Sequence, residues 1–76
     1  MHLKNATQRK LLAILDDWQT HSFEFLLEET GSPSRQALVM QIGFLRKKLR
    51  KMDRDILYQE GIGYRLCSLI PHPSHV

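Results

Sequence analysis

Apolar positions along the chain fall into three stretches of helical period and one of strand period. Leu11, Leu12, Leu15 and Trp18 recur at helical spacing behind Asn5, a capping residue with Gln8 at capping-box distance. They predict a first helix over residues 6–18. Thr20-His21-Ser22 then reads as a connector containing one strand-like step. Ser22 caps a second helix over residues 23–30, with Phe23, Leu26 and Leu27 apolar and Gly31 as its left-handed stop. The third helix opens at Ser32-Pro33 or at Ser34. Its apolar positions, Leu38, Ile42, Leu45, Leu49 and Met52, advance in steps of four, three, four and three, one continuous stripe that ends near Lys51 or Met52. Opposite the stripe lie Gln36, Met40, Gly43, Lys47 and Lys51. Arg35, Val39 and Arg46 flank that side on one edge and Phe44 on the other.

After a turn at Asp53-Arg54-Asp55 the period changes to two. Residues 56–60 and 64–67 read as strands joined by Gly61-Ile62-Gly63. Pairing Glu60 with Tyr64 puts Ile56, Tyr58, Tyr64 and Leu66 on a face that packs against the helices. Leu57, Gln59, Arg65 and Cys67 take the other face. The expected fold class is α+β: three helices followed by a β-hairpin, one domain over residues 1–70, and a flexible tail at 71–76.

Length narrows the functional classes. A chain of 76 residues buries only ~60% of its unfolded surface, which leaves little room for a deep pocket with a catalytic constellation. The sequence contains no P-loop, no CxxC pair and no nucleophile–base arrangement, so no catalytic residue, cofactor or metal is expected. His72 and His75 stand among prolines and form no helical ligand pair. The single cysteine, Cys67, excludes an internal disulfide, fits a reducing compartment and reads as a small hydrophobe. No apolar run approaches the ~20 residues of a membrane helix, and the first five residues hold no signal core. A soluble cytoplasmic protein without membrane contact is expected.

Charge adds a direction. The net charge is +3, but from Arg35 to Arg54 seven cations face one anion, a net +6, and the rest of the chain carries −3. Cations gathered on one element suit a polyanionic partner.

The order of elements resembles a winged helix-turn-helix, and the resemblance extends to residues. From Thr20 to Leu45 the chain resembles the DNA-binding domain of biotin-repressor-type regulators. His21-Ser22 leads into the second helix, Thr30-Gly31 makes the turn, and Ser34-Arg35 opens the recognition helix, with Leu38, Ile42 and Leu45 packed beneath. From residue 45 to 67 it is similar to the effector domain of OmpR-type response regulators, through Leu45-Arg46-Lys47-Lys48-Leu49 and Gly61-Ile62-Gly63-Tyr64-Arg65-Leu66. It departs from that family in having no room for an N-terminal sheet. Glu60 also stands where those wings place an arginine, and an anion there would repel phosphate.

The resemblance implies double-stranded DNA as partner and a prokaryotic or phage transcriptional regulator that works as a homodimer or with a regulatory protein. Ser34, Arg35, Gln36, Val39 and Met40 would then face base edges in the major groove. Arg46, Lys47, Arg50, Lys51 and Arg65 would meet phosphates. Gly43, costly in mid-helix, suits close approach of a DNA backbone or of another chain. The alternative is a winged-helix protein-interaction module, an anti-regulator or assembly adaptor, which would use Val39, Met40, Phe44 and Glu60.

Overall fold

The computed structural model describes residues 3–69. The last residue of the expected domain and the expected tail at 71–76 lie outside them. The architecture is α+β: helices α1 (Ala6–Leu15), α2 (Phe23–Thr30) and α3 (Arg35–Arg50), then an antiparallel hairpin of β1 (Arg54–Gln59) and β2 (Gly63–Ser68).

All three helices open on a side-chain cap at the expected kind of residue. Asn5 Oδ1 accepts from the Gln8 amide at 3.0 Å, and Ser22 and Ser34 accept from the Phe25 and Ala37 amides, each at 3.1 Å. Ser34, not Ser32, is therefore the cap of α3, and Pro33 lies before the helix. The Ser32 hydroxyl instead meets Thr30 Oγ1 at 2.7 Å. Gly31, at φ 65°, closes α2, with the Gly31 and Ser32 amides returning to the carbonyls of Glu28 and Leu27. This is the Schellman arrangement, which needs a residue tolerant of positive φ. It sets the angle between α2 and α3.

The core consists of Leu3, Leu11, Leu15, Leu26, Leu38, Ile42, Leu45, Leu49, Ile56 and Leu66. The leucine stripe of α3 is buried as its spacing predicts. Of the other expected apolar helix positions, Leu12, Phe23 and Leu27 are half-buried against this core, and Trp18 and Met52 are exposed. Helix α1 ends at Leu15, and Trp18, expected inside it, takes φ 61° and stays 39% exposed. Met52 lies beyond α3 and is 48% exposed, because the helix ends at Arg50 with Lys51 as its cap.

The hairpin also differs from expectation. Strand β1 begins at Arg54, so Asp55 belongs to a strand and not to a turn. Tyr64 pairs with Tyr58, and Gln59 with Gly63, two residues away from the expected register. A slip of two preserves the faces, since side chains alternate with period two. Ile56 and Leu66 are accordingly buried and Tyr64 half-buried. Tyr58 shares their face but reaches past the helices; it is exposed and lies against the Tyr64 ring, centroids 5.0 Å apart. The strand-like step before α2 is present: His21 and Tyr64 exchange two backbone hydrogen bonds of 2.9 Å, tying the connector to β2.

Candidate nucleic-acid interface

Helix α3 is held along both of its sides. With 100° between successive residues, Gln41 and Lys48 project to one side of the leucine stripe, and Arg46 and Arg50 to the other. On the first side, Gln8 of α1 is buried. Its Nε2 donates to Gln41 Oε1 at 2.9 Å, and its Oε1 accepts from Lys48 Nζ at 2.7 Å. Gln8 was expected to complete a capping box; its side chain instead bridges α1 to α3.

On the second side, Asp55 of β1 receives both arginines. Arg46 Nε donates to Asp55 Oδ1 at 2.8 Å and its Nη2 to Oδ2 at 3.3 Å. Arg50 reaches Oδ2 through Nη2 at 3.1 Å and Nε at 3.2 Å. The Ile56 amide adds a 2.7 Å bond to Oδ1. The Asp55 side chain is only 12% exposed. The Arg46 guanidinium, opposed by burial and helped by the Ile56 amide and Arg50, lowers the Asp55 carboxyl to a pKa of about 2. The same hydrogen bond raises Arg46 above its already high value.

Between these two anchored sides runs the outer strip of α3. Gln36, Val39, Met40, Gly43, Lys47 and Lys51 are all exposed, and Lys47 and Lys51 make no ion pair among the described residues. The amino-terminal half of the strip is uncharged, with Val39 and Met40 each 51% exposed, and the carboxyl-terminal half is cationic. Phe44 lies on its edge, also exposed.

The remaining expected contact residues are dispersed. Ser34 is occupied as the α3 cap. Arg35 is exposed at the first turn, paired with Glu24 of α2 and stacked 4.4 Å above the Phe23 ring. That pairing lowers the Glu24 carboxyl. Arg65 is half-buried on β2, facing Leu57 across the ladder. Glu60 sits exposed in the three-residue turn of the hairpin. A shallow cavity of about 250 Å³ lies between the start of α2, Arg35 and the hairpin turn, lined by Phe23, Glu24, Tyr58 and Ile62 among others.

Sequence reasoning missed Asp55, Gln8 and Glu24 as partners. The first two are joined to α3 across a change of element, which periodicity within one element does not register. Arg35 and Glu24 do face each other across a short turn, a proximity that the two caps and Gly31 imply.

Among the described residues no group of three His, Cys, Asp or Glu side chains could hold a metal ion, and no helix is long and apolar enough to cross a membrane. Comparison with protein-family models, curated proteins and solved structures gave no match.

Proposed function

We propose that this chain is a winged helix-turn-helix module that binds double-stranded DNA and regulates transcription, with α3 in the major groove and the hairpin as the wing. The observation that carries the reading is the outer strip of α3: an exposed helical face whose cations at one end make no ion pair among the described residues, on a helix anchored along both other sides. A helix offered to a groove needs such rigid presentation. Ser34, Arg35, Gln36, Val39 and Met40 occupy the first turns, where base edges are met. Arg35 suits guanine and Gln36 adenine, and Val39 and Met40 offer only apolar contact, as to a thymine methyl. So few hydrogen-bonding groups imply that DNA shape and backbone contacts carry much of the recognition. The candidates for phosphate contact are Arg46, Lys47, Arg50, Lys51 and Arg65, of which Lys47 and Lys51 are exposed on the outer strip and make no ion pair among the described residues. Regulation with a homodimer or protein partner belongs to the same proposal.

The test is fluorescence anisotropy of a labelled random-sequence duplex at several salt concentrations. Each phosphate contact contributes about −0.9 to the slope of log K against log salt. A slope worth several contacts, reduced by Lys47→Ala and Lys51→Ala, supports the reading. No binding at low salt overturns it.

One observation favours a second reading as a protein-interaction module. Val39, Met40 and Phe44 form an exposed apolar run on α3, and Glu60 puts an anion on the hairpin turn. That reading expects a stable protein complex and no duplex binding.

A further inference from the structure

The phosphate contacts proposed above include four cations from the second half of α3, yet these four are not in the same situation. Lys47 and Lys51 extend from the outer strip without ion pairs among the described residues, whereas Arg46 and Arg50 converge on Asp55. Two guanidinium groups and the Ile56 amide place five donor contacts on one carboxylate, both of whose oxygens are used. The Asp55 side chain is 12% exposed whereas those of Arg46 and Arg50 are 39% and 54% exposed, so releasing both arginines would leave a largely buried anion unpaired, and releasing one weakens its pairing. Helical geometry sets each lysine 100° further around α3 than the arginine preceding it in sequence.

We propose that Asp55 is a positioning residue for duplex binding: it holds Arg46 and Arg50 against β1, fixes the hairpin to α3, and leaves phosphate contact on this helix to Lys47 and Lys51. The inference rests on the duplex-binding reading. It assigns the arginines an internal role and makes Asp55 the residue that limits how many charges the helix presents. A bidentate Arg–carboxylate geometry has defined direction, so the cluster also sets the angle of the hairpin.

The salt dependence of duplex binding tests this, because a purely structural role would leave the slope unchanged. The slope is measured on one duplex for the wild type and for Lys47→Gln, Lys51→Gln, Arg46→Gln, Arg50→Gln and Asp55→Asn, with a thermal melt of each variant. The slope is expected to shrink by about 0.9 for each lysine variant and to hold for each arginine variant. Asp55→Asn, which keeps an oxygen for the Ile56 amide, is expected to steepen it by about 0.9 or more as arginines are released. If Asp55→Asn does not fold, the arginine variants decide the matter. A slope that falls as much for Arg46→Gln or Arg50→Gln as for the lysine variants overturns this inference while leaving duplex binding intact. Absence of wild-type binding at low salt overturns both.

Discussion

Gly63 is seated against the backbone carbonyl of His21, so closely that a Cβ on Gly63 would lie 2.0 Å from that oxygen and 2.6 Å from its carbon. The closeness follows from the paired bonds between His21 and Tyr64, which bring the connector onto the start of β2. Gly63 also has φ 151°, a value that other residues avoid. Gly61, at φ 77° in the same turn, has open space where its Cβ would go. The two glycines therefore serve different needs, and their alanine variants are expected to differ. Gly61→Ala should cost about 1 kcal/mol from its backbone conformation alone. Gly63→Ala should cost roughly 3 kcal/mol or more, because the connector must move off the hairpin. Urea unfolding of both variants checks this; equal losses would refute the close-approach argument.

Acid should weaken the fold through Asp55. Its pKa is lowered from 3.8 to about 2, so the folded state holds the charged form more strongly than the unfolded chain does. The stabilisation is fully present above pH 4 and is lost as pH falls through about 2. A depression of this size corresponds to about 2 kcal/mol. Asp17 and Glu24 are shifted in the same direction, Asp17 by the Gln19 amide and then by His21, and Glu24 by Arg35. Both are exposed and serve as background. The check is the urea midpoint of wild type and Asp55→Asn between pH 5 and pH 2. The difference between them should narrow toward pH 2, and a constant difference would rule out Asp55 as its source.

Much of the fold was legible because most of it is periodic. Leu38, Ile42, Leu45 and Leu49 repeat at helical spacing, and all four are buried. Asn5, Ser22 and Gly31 carry local signals that act within three residues, and each does so here. The errors arise where the chain leaves a helix without a glycine. Trp18 and Asp53 take φ near 60° although neither residue announces it, so α1 and α3 end before their apolar spacing does. The register error in the hairpin has another origin: alternation fixes which face a residue joins but leaves pairing ambiguous by two. Asp55 was hidden by both effects. It sits in a stretch with turn composition, and its partners Arg46 and Arg50 lie in another element at no repeating distance. On the candidate interface, helical phase alone identified the outer strip of α3, but which of its neighbouring cations are engaged depends on contacts between elements.

The bridge between α1 and α3 should matter more than its polar composition suggests. Gln8 is buried with its amide nitrogen and oxygen both engaged, by Gln41 and Lys48. Gln8→Ala removes both bonds and leaves the half-buried Gln41 without this partner. The expected loss is about 1–3 kcal/mol in chemical denaturation. Lys48→Met removes the charge but leaves the Gln8–Gln41 bond, and should cost less. Equal losses in the two variants would place the importance in the lysine.

Gly43 offers a test in which stability and binding move in opposite directions. It lies near the middle of α3 on the outer strip, and a Cβ there would meet nothing within 4 Å. Its backbone is helical, so alanine fits without strain and should stabilise the protein by about 1 kcal/mol. If α3 enters a groove, the same methyl group stands between the helix and the nucleic acid. Gly43→Ala is then expected to raise the urea midpoint and to weaken duplex binding, with the salt slope unchanged because no phosphate contact is removed. The two effects can be read on one preparation, by unfolding and by anisotropy. A variant that is more stable and binds as well as wild type would show that the duplex does not approach the middle of the strip. That result would restrict contact to the cationic end at Lys47 and Lys51.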